Sequence, residues 1–370
     1  MDQQPFREFS SEHHEALHSI RTSRIILPIL LGLAAVGYLF WRHFDLEEFS
    51  RINWTRHTYF WIGMAILLSI IWHLTYSYRL RALTKKAFSW WKCIELIVIW
   101  EFSSAVSPTS LGGSAVAFFI LAQEKLSAAR TATFVLYTIV LDSLFLLTTV
   151  PILYAIFGAG VLRPGAETFA DTEFWGYYFL IAFCIMLTYT LPFYYGLFIN
   201  PQKLEQFLGA VTNNRLLRRY HERALVFGRD MGIASKELKN EPWQYHAQAI
   251  GSTIIVWMLR FLIISALLIA FLPDLPLDIK TQFELYARLE TMFFVIAFSP
   301  TPGGAGLIDL LFGSFLTDYV SNSTQATMIA TIWRLISYYI YLFLGALIVP
   351  NWIRRRINER RARQAAGISN

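Results

Sequence analysis

Cysteine is nearly missing from this chain: its 370 residues hold two, Cys93 and Cys184, both inside apolar runs. That excludes a disulfide framework and a thiolate metal cluster. Charge is scarce too, at 16% Asp, Glu, Lys and Arg, where a soluble domain has about 25%. The histidines show no metal-ligand spacing, and no glycine-rich nucleotide loop, nucleophile motif or zinc signature occurs. No catalytic residue, cofactor, metal or nucleic-acid partner is therefore expected, and the chain does not read as an enzyme. The first 24 residues lack the pattern of a cleavable signal, so the first apolar segment is expected to remain as a membrane span.

Apolar sequence fills the space. Hydrophobic residues make up 55% and the mean hydropathy is +0.43. Continuous runs of about 20 apolar residues suit helices crossing a bilayer, and their lack of alternation argues against a barrel. The expected fold is an all-α polytopic membrane protein with about six full transmembrane spans, near 25–41, 58–78, 131–157, 176–198, 244–272 and 326–349. Two further apolar regions, 93–122 and 285–315, are broken by Pro and Gly. One reads Ser107-Pro108-Thr109-Ser110-Leu111-Gly112-Gly113, the other Ser299-Pro300-Thr301-Pro302-Gly303-Gly304-Ala305-Gly306.

Lys and Arg orient the segments, because they concentrate in cytoplasmic loops. Segment 79–92 carries five (Arg79, Arg81, Lys85, Lys86, Lys92), segment 199–243 carries eight, and Arg354 to Arg363 holds six. Loops 158–175 and 273–284 carry one each and 316–325 carries none, which marks them external. With that assignment each broken region begins and ends on one side, so both read as re-entrant hairpins, dipping from opposite faces. Two kinked full spans also preserve the parity but place Lys125 and Arg130 outside. The order span, span, hairpin, span then occurs twice with opposite orientation: an inverted-topology repeat, with repeat one at about 25–157 and repeat two at about 176–349, a plan common among secondary transporters. A cytoplasmic tail 1–24 precedes the transmembrane domain 25–350, and a basic cytoplasmic tail 351–370 follows it. Both termini are expected in the cytoplasm. Segment 203–240 reads as one or two amphipathic surface helices that, with the basic tail, attract anionic lipid head groups; ordinary topology-setting charge explains it equally well.

The breaks are where a site is expected. Proline removes backbone donors and glycine permits close backbone approach. The freed N–H and C=O groups must be buried in protein or line a wet cavity. Helices restarting near Ser114 and Leu307 would point partly positive N-termini inward, which suits an anion. The candidate substrate-binding set is Pro108, Gly112, Gly113, Ser114, Thr301, Pro302, Gly303, Gly304 and Gly306, with three charges at depth: Asp142, Asp309 and Arg334. Asp142 lies 34 residues after Pro108, and Arg334 lies 34 after Pro300. Arg334 reads as a phosphate ligand or a structural partner of an acid. Asp142 could pair with an arginine, bind a cation or carry a proton; Asp309 could line the site or cap its helix. Glu101 and Arg260 are candidate cavity charges, with Arg260 favoured as an internal ion-pair partner. Glu95, Arg288 and Glu290 read as interfacial, snorkelling residues.

These motifs together resemble the lysylphosphatidylglycerol synthase transmembrane (flippase-like) domain family over residues ~20–350. The resemblance rests on Pro108-x-x-x-Gly112-Gly113, Asp142, Thr301-Pro302-Gly303-Gly304-x-Gly306-x-x-Asp309 and Arg334. It implies movement of a phospholipid across the bacterial inner membrane. Where the family often has an acid and an arginine after the first Gly pair, this chain has Ser114 and Ala117; Ser143 replaces an arginine, and Asp309 a glutamate. No soluble aminoacyl-transferase segment is present in the 370 residues, so lipid synthesis is not expected of them. The expected function is a lipid translocase for a phospholipid or related anionic lipid. The alternatives are a non-transporting membrane subunit that delivers lipid to an envelope-assembly glycosyltransferase, and a small-solute exporter. A homo-oligomer is left open.

Overall fold

The computed structural model describes residues 54–106, 117–118, 120–124, 126–215, 217–296, 307–320 and 323–365, together with Glu47 and Ser50. Among these residues the regular structure is helical throughout: α1 (Arg56–Leu83), α2 (Trp90–Val106), α3 (Ala128–Phe157), α4 (Glu173–Tyr194), α5 (Pro201–Thr212), α6 (His221–Lys239), α7 (Trp243–Phe271), α8 (Ile279–Ile296), α9 (Leu307–Phe315), α10 (Ser323–Arg334) and α11 (Ile340–Ala365). Short 3₁₀ turns follow α3 and precede α4, and π turns follow α4 and α10.

Local chemistry sets the helix starts. Thr55 and Thr58 form a reciprocal capping box before α1. Ser127 accepts from the Arg130 amide at the start of α3. Asn200 caps α5, whose first residue is Pro201, a position where a missing N–H costs nothing. Gly158, at φ 74, ends α3 in a conformation that glycine adopts freely.

Five stretches are long and apolar enough to cross a membrane: Arg56–Leu83, Ala129–Val161, Phe169–Ile199, Trp243–Phe271 and Thr324–Arg356. Each contains one expected span. The expected span 25–41 lies outside the described residues. The chain is a multi-pass membrane protein. Its central helix is α7: 72% of its most apolar window is buried, against 22–33% for the other four. That explains why 244–272 is apolar on all sides, whereas the outer helices turn Tyr59, Phe60, Ile156, Tyr177, Ile181 and Phe343 outward, as lipid-facing surfaces do.

Helix α1 lies along α7, and α2 packs on both α1 and α11. Correspondingly, α8 packs on both α7 and α3. The basic segment 199–243, read as one or two surface helices over 203–240, forms two, Pro201–Thr212 and His221–Lys239. Helix α6 packs against α5, α3 and the π turn after α4, burying Met231, Ala234 and Leu238.

Candidate functional site

The broken segments leave their flanking helices in view. Helix α2 ends at Val106 and the chain is helical again at 117–118 and 120–123; α8 ends at Ile296 and α9 begins at Leu307. Pro108, Gly112, Gly113, Ser114, Thr301, Pro302, Gly303, Gly304 and Gly306 lie outside the described residues, as does the side chain of Asp309, whose backbone belongs to the first turn of α9.

Asp142 is committed to an arginine, Arg79, that the sequence groups with the basic segment 79–92. Helix α1 continues through Arg79, and its side chain is 2% exposed. Its two terminal nitrogens donate to the Asp142 carboxylate at 2.6 and 3.2 Å, the bidentate geometry for which guanidinium is shaped. The same guanidinium donates to Thr253 Oγ1 at 3.1 Å and lies 4.7 Å from the Tyr76 ring centroid. Trp257 Nε1 donates to Asp142 at 3.1 Å. One ion pair thus joins α1, α3 and α7. The signal available in the sequence was the unbroken helix-forming run through Tyr76, Tyr78 and Leu80, with nothing to stop α1 before Thr84.

Arg260 differs from expectation. Among the described residues no carboxylate lies within ion-pair distance of it. Its guanidinium carbon instead sits 4.3 Å from the Phe293 ring centroid, 5.5 Å from that of Trp72 and 5.6 Å from that of Trp257. Aromatic faces favour a cation there. Glu101, on α2, is half-buried and lies within Coulombic reach of Arg260, Arg79 and Asp142. Tyr341 lies within the same reach of Glu101 and Arg260 and shares a 2.9 Å hydrogen bond with His73 Nδ1.

Arg334 is the last residue of α10, 2% exposed, with its guanidinium carbon 5.1 Å from the Tyr338 ring centroid and 5.9 Å from that of Tyr339. Both tyrosines belong to the π turn Leu335–Tyr339, a local widening common at functional sites. Tyr338 donates to the Ala105 carbonyl at 3.1 Å, which sets Arg334 close to the end of α2, three residues before Pro108. Polar groups therefore lie from Arg334 beside the end of α2, through Glu101, to Arg260, Arg79 and Asp142.

Glu290 and Arg288 do not snorkel; their relative exposures are 0% and 4%. Glu290 accepts from the Thr149 hydroxyl and hydrogen-bonds Tyr286. Arg288 pairs with Glu284 and with Asp318, each at 2.9 Å. On the first broken region, Glu124 gathers Lys92 at 2.7 Å, Trp352 Nε1 at 2.6 Å and Arg356 at 2.5 Å. Glu95, expected at the interface, bonds Lys92 at 2.8 Å and also Arg355.

Comparison with known proteins gives the following. The family described as "Lysylphosphatidylglycerol synthase TM region" matches residues 25–345. A "UPF0104 membrane protein" of Archaeoglobus fulgidus is 23% identical over 340 residues, which is 88% of this chain and 95% of that protein. No solved structure matches the chain.

Proposed function

The chain belongs to the lysylphosphatidylglycerol synthase transmembrane-region family, and on that premise we propose that it is a lipid translocase moving a phospholipid or related anionic lipid between leaflets by alternating access. The observation that carries this reading is the line of buried and half-buried charge inside an otherwise apolar helical body. Ionisable groups cost several kcal/mol at membrane depth, about 3 on insertion scales, and mark pathways. Arg334 beside the first break and the aromatic-walled Arg260 supply cationic groups for a phosphate. Glu101 and the Arg79–Asp142 pair keep the line close to neutral while it is empty. The lipid tails remain in the bilayer, and no nucleophile or cofactor is invoked.

Two features support re-entrant hairpins in an inverted repeat. Lys92, near the start of α2, meets Glu124, at the end of the returning limb, at 2.7 Å, so the first broken region closes on itself. Arg288 of α8 meets Asp318 beyond α9 at 2.9 Å, and nine-residue α9 is about 14 Å long, short of the ~30 Å hydrocarbon core. The helix contacts also occur in counterpart pairs: α1 with α2 as α7 with α8, and α2 with α11 as α8 with α3. Rocking one repeat against the other would open the site to each leaflet in turn. In this reading both termini and α5–α6 lie in the cytoplasm, and the host bilayer is the bacterial inner membrane.

The test is leaflet exchange of a fluorescent anionic phospholipid in vesicles carrying the purified chain. Exchange above that of empty vesicles, reduced about tenfold in Arg334→Ala because a charge-assisted hydrogen bond of ~1.5 kcal/mol or more is lost, is the expected result. Exchange no faster than in empty vesicles would sink the translocase reading and favour a lipid-delivering membrane subunit.

A further inference from the structure

A cleft of about 460 Å³ is lined by Tyr78, Arg81, Lys85, Lys86, Trp90 and Gln248, none of which belongs to this line of charge. Three of its lining residues are cations, and none is an acid. One cation is answered: Lys85 pairs with Glu241 at 2.5 Å. Among the described residues Arg81 and Lys86 have no ion-pair partner. The Arg81 guanidinium carbon lies 5.4 Å from the Trp90 ring centroid, and its Nε is buried without a hydrogen-bond acceptor. The cleft therefore offers two uncompensated positive charges, one of them held by an aromatic face.

The backbone beneath it is unusual. Lys85 and Lys86 both have positive φ, 53° and 59°, where side-chain-bearing residues are strained and glycine is the common choice. The turn is closed by Lys86 N–H to Arg81 O at 2.8 Å and Lys85 N–H to Ala82 O at 3.0 Å. It curls the chain back so that both lysines line the same cleft as Arg81. Two lysines held where glycine would be easier point to a use for their side chains.

The rim tells which phase the ligand comes from. Trp91 is 81% exposed, Trp90 44% and Tyr78 39%, and Tyr78 and Trp90 stack at 6.4 Å. Exposed Trp and Tyr at the end of a spanning helix sit at head-group level. A cationic cleft opening beside them faces lipid phosphates rather than bulk water.

We propose that this cleft binds the phosphate of an anionic phospholipid of the adjacent leaflet, as a fixed lipid site separate from the translocation line. Arg81 and Lys86 hold the phosphate oxygens, Gln248 adds a neutral donor, and Trp90 and Trp91 pack against the glycerol and upper acyl chains. The site does not depend on the translocase reading, since it requires binding only.

Native mass spectrometry of the full chain in detergent tests it, with phosphatidylglycerol, phosphatidylcholine and inorganic phosphate as separate probes. A saturable phosphatidylglycerol site that persists in Arg334→Ala is expected, stronger than for phosphatidylcholine. Its affinity should fall about fivefold for each basic residue removed in Lys86→Gln and in Arg81→Gln/Lys86→Gln. Arg218→Gln/Arg219→Gln, on exposed surface elsewhere, should leave it unchanged. Lys86 is exposed, so Lys86→Gln keeps the test valid if the double variant fails to fold. Unchanged phosphatidylglycerol affinity in Lys86→Gln overturns the proposal. So does equal loss in the Arg218→Gln/Arg219→Gln variant, which would reduce the effect to general surface charge. Inorganic phosphate displacing the lipid at equal concentration would overturn the lipid as ligand and leave a soluble anion in its place.

Discussion

Asp142 illustrates how a single charge changes meaning once its neighbours are known. In sequence it is an isolated acid at membrane depth, open to binding a cation, carrying a proton or pairing. In the fold it accepts two bonds from Arg79 and one from Trp257, which leaves little of its acceptor capacity for a ligand. Removing one member of such a pair strands the other: Asp142→Asn should cost about 3 kcal/mol, the lower end of the range for broken buried pairs, because the Asp142 side chain keeps 24% exposure. Thermal unfolding in detergent measures this, and Arg79→Met/Asp142→Leu should recover most of the loss. A single Asn variant as stable as the parent would show that the pair does not hold α1, α3 and α7 together. Arg260 makes the opposite point. Its aromatic surroundings stabilise a cation without neutralising it, so the charge remains available in a way that no residue count reveals.

At the scale of elements, close approach decides what a position tolerates. Gly345 of α11 has no room for a side chain: a Cβ there would lie 2.3 Å from Phe102 Cγ on α2. Small residues let membrane helices meet this closely. Gly345→Ala should destabilise the chain by about 1–3 kcal/mol, the usual cost of overpacking, and Phe102→Ala introduced with it should restore part of that in a double-mutant cycle. Additive losses would mean the two helices are not in register at that point. Helix α6 carries a pH-sensitive group. Burial raises the Asp230 carboxyl from its ordinary 3.8 to about 6. The folded state then binds more protons than the unfolded state between these values, so this group's contribution is most favourable below about pH 4 and is lost as pH rises through about 6. Asp230→Asn should flatten that part of the stability profile and stabilise the chain at pH 7. A profile as steep as the parent's would assign the dependence elsewhere.

These helices were largely legible beforehand. The expected spans at 58–78, 131–157, 176–198, 244–272 and 326–349 fall inside the observed apolar helices because twenty consecutive apolar residues leave the chain few alternatives in a bilayer. Arg79 and the pair Arg288 and Glu290 were misread for a common reason. Charge counting assigns a residue to a side of the membrane from its neighbours in sequence, while burial depends on which helix lies opposite. Asp142, Asp318 and Thr149 lie elsewhere in the chain, and Glu284 and Tyr286 lie on α8 itself; together they make those burials tolerable.

On the scale of the whole molecule, each broken helix pair carries an ion pair across it, Lys92 with Glu124 and Arg288 with Asp318. The first also gathers Trp352 and Arg356 of α11, so the ends of one broken region and the last helix are tied at one place. Cysteines replacing Lys92 and Glu124 in a cysteine-free background should be joined by a short bismaleimide in native membranes. A kinked full span would hold these positions about 30 Å apart, across the hydrocarbon core, and no short linker would join them.

The sequence by itself determined that this chain lives in a membrane, which stretches span it, and where the regular helices must break. Those follow from the cost of exposing backbone and charge to lipid, which every residue carries wherever it folds. Tertiary structure alone decided which charges are spent on one another and which stand against aromatic faces instead. Arg79 closes on Asp142 and Arg260 stands among aromatic rings, because electrostatic pairing depends on distance in space, which linear order does not encode. In the proposed reading the two Pro- and Gly-rich breaks form a site, to which Arg334 and Arg260 bring positive charge.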